Sequence, residues 1–335
     1  MSEISAKQSI EKNSIFGKSR IFSGALDKYI TLGAVIVLFV IFSIVAKNFF
    51  TPRSILSLLL QTSAITIMGI GVTFAIITGG IDLSIGSVIA LSGTIAVMVA
   101  IAGVPIWLSM VVGLLVGALC GLINGLLITG LNLPPFIATL GMMMVARGVA
   151  LTITNANAYP APEGFGELGN GAIFRLGPQF PGISYPVIIM VIVAIIFSFI
   201  LTKTKIGRYI YAIGSNEEAA RLSGIKVNQV KIVAYVISGM LSGLVGIILA
   251  SRMVTSQPNS ADGYELNAIA SAVIGGTSLM GGIGTITGTV IGSFIIGILS
   301  VGLTMAGANY FLQKIVIGLV VIGAVTIDQL KLRRK

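Results

Sequence analysis

The sequence contains no histidine, and its 335 residues include one cysteine and one tryptophan. Without histidine, His-ligated metal centres, Ser-His triads and imidazole proton relays are excluded. The lone Cys120 cannot close an internal disulfide, and no charged neighbour in sequence would activate its thiol. Packing is its expected role. Charge is scarce as well: charged residues make up 10% of the chain, against about 25% in soluble domains. Acidic residues are outnumbered, 11 Asp and Glu against 21 Lys and Arg. Between Asp27 and Glu163 the only acidic residue is Asp82.

What fills the chain is apolar. Hydrophobic residues reach 55% and mean hydropathy is +1.03. A membrane-crossing helix needs about 20 mostly apolar residues to cover a hydrocarbon core of about 30 Å. This sequence is built almost wholly from such runs. They are continuous rather than alternating, which excludes a barrel. Backbone polar groups must be satisfied inside the bilayer, so the runs are expected to be helices. The fold class is therefore an all-α polytopic membrane protein.

The formal net charge of +10 does not point to nucleic acid, because of where the charges lie. Lys7, Lys12, Lys18, Arg20 and Lys28 precede the first apolar run. Lys203, Lys205, Arg208, Arg221, Lys226 and Lys231 lie in or beside one polar loop. Lys331, Arg333, Arg334 and Lys335 close the sequence. Cytoplasmic loops carry such an excess, and it sets orientation. The expected organisation is a cytoplasmic tail over 1–28, a membrane domain over 29–328 with a cytoplasmic loop at 203–230, and a cytoplasmic basic tail over 329–335. The first run, 29–46, is longer than a signal-peptide core and follows a long polar tail, so it reads as an uncleaved anchor.

Nine apolar runs are clear, at roughly 29–46, 55–78, 84–103, 106–129, 136–154, 185–202, 231–251, 286–306 and 311–327. Six of them separate the N-terminal patch from the 203–230 loop, so both patches share a side. Three follow the loop, which would put the C-terminal basic tail opposite. A tenth crossing restores parity. Its candidate is "LNAIASAVIGGTSL", within 266–280, a short segment broken by Gly275-Gly276. The alternative is a re-entrant segment with a flipped tail. The polar loops 155–184 and 252–265, rich in Gly, Pro, Asn and Ser, then lie outside. Short amphipathic structure is possible in the first.

Glycine is abundant, at 42 residues. Gly113, Gly117, Gly121 and Gly125 recur every four residues, as do Gly284, Gly288 and Gly292, and Gly239 pairs with Gly243. Such spacing puts glycines on one helix face, where two backbones approach closely. Packing within the chain is expected, with a subunit interface as the other use.

The loop "KTKIGRYIYAIGSNEEAARLSGIKVNQV" carries helix punctuation. Ser215 or Asn216 can cap a helix whose first turn holds Glu217 and Glu218. Ala219, Ala220, Arg221 and Leu222 favour helix. Gly224 suits the left-handed position just past its end. A helix this short is marginal in water and needs something to dock against. It rests on the bilayer surface or contacts a cytosolic partner.

Four strings resemble one family. "GRYIYAIGSNEEAARLSGI", "GGIDLSIGSVIALSG", "PPFIATLGMMMVARG" and "GYELNAIASAVIGGTSLMGGIGT" are similar to the monosaccharide permeases of bacterial ATP-binding-cassette importers, typified by the ribose importer. The likeness runs from about residue 30 onward. It implies a multi-pass subunit of the bacterial inner membrane with both termini cytoplasmic, paired with a second permease copy. It further implies a cytosolic ATPase with two nucleotide-binding halves and an extracytoplasmic sugar-binding protein. The EAA-type element of that family docks the ATPase, which here implies Asn216, Glu217, Glu218, Ala219, Ala220, Arg221 and Gly224. Hydrolysis belongs to the separate ATPase and no cofactor or metal is implied. The only Gly-Lys-Ser, Gly17 to Ser19, has Lys12 where a phosphate-binding loop needs its leading glycine.

Asp82 falls beside Gly79 and Gly80, which allow a sharp turn, while Asp82 or Ser84 can cap the next helix. A structural turn is the expected role. A direct part in moving substrate, or a contact with the ATPase, are the other readings. For the substrate pathway, Gln61, Thr66, Asn124, Phe136 and Thr139 are candidates, each also able to serve as an interhelical contact. Arg147 is expected to reach an interface or pair internally. Glu163, Glu167, Asp262 and Glu265 can face a delivery protein or simply solvent. Two other functions stand beside the importer subunit. A self-sufficient secondary transporter would need embedded ionisable groups. A non-transporting scaffold would leave the capped helix unexplained.

Overall fold

The structure is a computed structural model that describes residues 31–175 and 182–333. The expected tail at 1–28, residues 334–335 and part of the 155–184 loop lie outside the described residues. Helices dominate. In chain order they are α1 (Thr31–Val45), then α2 (Pro52–Ile77), α3 (Ile85–Ile101), α4 (Ile106–Gly130) and α5 (Pro135–Thr154). Next come α6 (Glu167–Asn170), α7 (Tyr185–Lys203), α8 (Lys205–Ser215) and α9 (Glu217–Leu222). Last are α10 (Val227–Met253), α11 (Tyr264–Ile274), α12 (Ile286–Met305) and α13 (Tyr310–Arg333). The segment expected as a loop at 203–230 is largely α8 and α9, and α13 carries helix through Arg333.

Among the described residues α2, α4, α5, α7, α10 and α12 are long and apolar enough to cross a membrane, and four shorter apolar helices accompany them. The protein is thus a polytopic helical membrane protein. Pro52 and Pro135 open α2 and α5 at the first helical position, where a missing N–H costs nothing.

α2 is the hub. Every residue from Thr62 to Ile77 is buried, and α7, α10, α11 and α12 surround it. The glycine ladders act within the chain. A Cβ on Gly117 would collide with the Gly239 carbonyl, and one on Gly239 with the Gly117 carbonyl, so α4 and α10 touch backbone to backbone. Gly288 and Gly292 face Gly275 and Ser271 in the same way, seating α12 against α11. In lipid such close packing drives association.

The two polar loops clasp each other. β1 (Tyr159–Pro160) pairs antiparallel with β4 (Thr255–Ser256). Ala161 N–H donates to Val254 O at 2.9 Å, and Thr255 Oγ1 donates to Tyr159 O at 2.9 Å. A second short pair joins β2 (Ala172–Ile173) to β3 (Ile183–Ser184). Phe165 is fully buried beneath the clasp, its carbonyl accepting from Ser251 Oγ at 2.6 Å.

Candidate functional site

Three features concentrate the polar chemistry. They are the α8–α9 element, the junctions where α2 and α11 end, and one cavity.

Thr204 caps α8, its Oγ1 accepting from Gly207 N–H at 3.3 Å. Gly207, Ile210 and Ile213 bury one face of α8, while Arg208 and Tyr209 are exposed. α9 follows with no linker. Asn216, at φ −160° and ψ 106°, ends α8 and starts α9. Its Oδ1 accepts from Ala219 N–H at 2.9 Å. Glu217 and Glu218 fill the first turn, where negative charge favours the helix dipole. Gly224, at φ +83°, turns the chain out, with Ile225 N–H closing back on Ala220 O at 3.1 Å. Ala220 is the one buried residue of α9. Glu217 binds Lys231 Nζ at 2.6 Å and Arg221 at 3.3 Å. Glu218 and Arg221 remain exposed, and so does Leu222, at 85%. Sequence reasoning treated Leu222 only as a helix former. Its position opposite buried Ala220 was the available signal.

The ends of α2 and α11 share one geometry. Gly79 at φ +82° and Gly276 at φ +89° each stand just past a helix end. Gly80 N–H donates to Ala75 O at 3.1 Å and Thr277 N–H to Ala272 O at 2.9 Å, the six-to-one bond of a glycine-terminated helix. After Gly79 the residues up to Ser84 have no regular structure and lead into α3. This stretch folds back beside α10. Asp82 accepts from Ser238 Oγ at 2.7 Å, and Ser238 lies near the middle of the 27-residue α10. The backbone of Ser238 also packs on Gly71, with its Cα 3.2 Å from where a Cβ on that glycine would sit. Asp82 has therefore returned to the level of a residue well inside α2.

Asp82, in the stretch between α2 and α3 where the sequence places a turn, is 1% exposed. Ser84 N–H at 3.0 Å and Ser84 Oγ at 2.6 Å complete its donors. Ser84 stands at the start of α3 without capping it through its own side chain. Its Oγ accepts from Asn124 Nδ2 at 3.0 Å. Thr139 Oγ1 donates to Ile81 O at 3.1 Å. Two residues expected along a pathway, Asn124 and Thr139, are thus built into the knot around Asp82. Thr66 is fully buried in α2 and Phe136 is exposed on α5. Arg147 donates to Pro258 O at 2.7 Å and Ser260 O at 2.8 Å, tying α5 to the segment before α11.

A cavity of about 610 Å³ lies between α2, α10, α11, α12 and α13. Its lining includes the aliphatic side chains of Ile65, Ile269, Ile296 and Ile317. Amides and hydroxyls come from Gln61, Asn267, Ser300, Thr304 and Gln313. Arg252, Asp262, Tyr310 and Lys314 also line it. Gln61 is the expected pathway residue found here, and its Nε2 donates to Ser300 Oγ at 3.3 Å. Apolar walls with a few convergent polar groups characterise small-molecule sites.

Comparison with known proteins adds the following. Residues 54–325 match the family described as branched-chain amino acid transport system / permease component. The ribose import permease protein RbsC of Bacillus subtilis (strain 168) is 44% identical over 310 residues, covering 92% of this chain and 95% of that one. The D-allose transport system permease protein AlsC of Escherichia coli K12 is 39% identical, covering 91% and 92%. The L-arabinose transport system permease protein AraH of the same strain is 38% identical, covering 100% and 99%.

Proposed function

This chain belongs to the branched-chain amino acid transport system / permease component family, and we propose that it is the membrane-spanning subunit of an ATP-driven, binding-protein-dependent importer of a ribose-like monosaccharide. The family's printed description names amino acids. The relatives that span nearly the whole chain carry ribose, allose and arabinose in their names, and their agreement on sugars favours that class. As a permease component it is a transport subunit rather than an enzyme. It works with a separate ATPase and a substrate-binding protein.

Finer points belong to the same proposal. The six long and four shorter apolar helices support ten crossings in a bacterial inner membrane, with α11 a half-length one of about 16 Å at 1.5 Å per residue. Both termini and the α8–α9 element then lie on the cytoplasmic side. Two copies of the chain serve one ATPase pair. α9 is the docking element, through Glu218, Arg221 and Leu222. The sugar passes the cavity lined by Gln61, whose amides and hydroxyls match a polyol and whose aliphatic side chains match ring faces.

The single structural observation that carries the reading is the short, capped helix α9, with its outer face bare and its inner face fixed to the bundle. Reconstitution tests it. The chain is placed in vesicles with and without the ATPase and binding protein, and labelled ribose uptake is followed. Uptake that requires ATP and both partners is expected. Accumulation by the chain alone along a proton or sodium gradient would establish a secondary transporter instead. Gln61→Ala is expected to lower uptake while the ATPase still co-purifies. A label at Asn216 reachable only from outside intact cells would overturn the orientation.

A further inference from the structure

The helix before the docking element touches both glycine-terminated junctions at once. The Ile77 carbonyl, at the end of α2, is one of the acceptors a helix leaves unpaired. Gly282 N–H, from the segment between α11 and α12, donates to it at 2.9 Å. Gly214 of α8 lies against the same pair. A Cβ there would collide with the Ile77 carbonyl and stand 2.5 Å from Gly282 N. Gly281 completes the contact: a Cβ on it would be 3.0 Å from Gly214 O and 3.1 Å from Gly79 N. Three stretches of backbone thus meet with no side chain between them. One turn earlier on α8, on the same face, Tyr211 Oη donates to Gly284 O at 2.6 Å. Burial pushes the Tyr211 phenol up, so it stays a donor.

We infer that α8 is the rigid lever that carries movement of α9 into both membrane-embedded junctions, with Gly214 and Tyr211 as its positioning residues. The inference rests on the proposed function. Asn216 is shared by α8 and α9, so no flexible linker absorbs a displacement of α9. The first junction leads directly into the Asp82 knot and α3. The second leads into α12, capped by Thr285, whose Oγ1 accepts from Gly288 N–H at 3.1 Å. Close-packed contacts of this kind shift between discrete arrangements rather than deform smoothly. The two junctions and α8 therefore move as one body. Glycine at 214 is required because any side chain would wedge the lever off its seat.

The test uses the complete reconstituted importer and compares sugar moved with ATP hydrolysed. Tyr211→Phe keeps the ring and deletes one hydrogen bond. It is expected to leave ATPase co-purification and hydrolysis near wild type while sugar moved per ATP falls about threefold or more, the scale of one buried hydrogen bond. Gly214→Ala is expected to lower the ratio further. Should that variant fail to assemble, Tyr211→Phe still decides the matter. Wild-type sugar-to-ATP ratios in Tyr211→Phe would overturn the lever, as would a parallel loss of hydrolysis and uptake. Failure of the unmodified chain to bind any ATPase would instead overturn the proposed function.

Discussion

Asp82 lies just before the first turn of α3 and Glu217 in the first turn of α9, and their surroundings differ. Asp82 is 1% exposed and is held by a backbone N–H and two serine hydroxyls. Glu217 keeps a side chain 42% exposed and is held by Lys231 and Arg221. No salt bridge reaches Asp82 among the described residues. A carboxylate inside a membrane domain is expensive unless its oxygens are engaged. At Asp82 three donors engage them and close the site. A carboxylate at a water-facing surface is cheap, and its ion pairs contribute little. The first acid therefore organises a fold, while the second leaves a surface free for a partner.

The sharpest break of this comparison is Asp82→Ala. It strands the Ser84 N–H and the hydroxyls of Ser84 and Ser238 in a dry interior. The expected loss is about 2–5 kcal/mol, read as a large fall in melting temperature in detergent and in yield. Asp82→Asn separates structure from charge transfer. Its amide oxygen still accepts from the Ser84 N–H, so most of the uptake should survive. If Asp82→Asn folds normally yet abolishes uptake, the carboxylate has a role in moving solute. Ser238→Ala comes next. It removes one donor and leaves two, and should cost about 1–2 kcal/mol. No measurable change in thermal stability would mean that the contact between Asp82 and α10 is dispensable.

On the α9 side the scale drops. Asn216→Ala deletes the side-chain cap on Ala219 N–H and should cost about 1 kcal/mol locally. Hydrogen exchange confined to α9 would report it, with the global melting temperature unmoved. Equal destabilisation of α2 and α10 would contradict the picture of α9 as a separable element.

How much of this was legible beforehand follows the same division. The α9 signals are local. A capping asparagine, two acids and a terminal glycine occupy nine consecutive residues, and backbone geometry follows from them directly. The glycine ladders were legible too, because four-residue spacing has one physical use between helices. The depth of Asp82 was not. It depends on a stretch that leaves α2 at Gly79 and returns beside α10, and no periodicity encodes a path without regular structure. Asn124 and Thr139 looked like pathway residues for the same reason. Their partners, Ser84 and Ile81, lie on that stretch. α8 was hidden because its polar face made the whole region read as loop.

The smallest expected stability effect carries the largest functional one. Replacing Glu217, Glu218 and Arg221 together by alanine removes two surface ion pairs, each worth about 0–1 kcal/mol. Alanine also suits the helix interior, so the variant should melt close to wild type. ATPase co-purification should nevertheless be lost, because Glu218 and Arg221 make up most of the outer charge of α9. Leu222→Ala sharpens the point further. At 85% exposed this side chain contributes almost nothing to the isolated chain. If the leucine fills a pocket on the ATPase, its truncation weakens co-purification without touching stability. A triple variant that still binds the ATPase and transports normally would remove α9 from the docking role, and α8 would then have no motor to transmit.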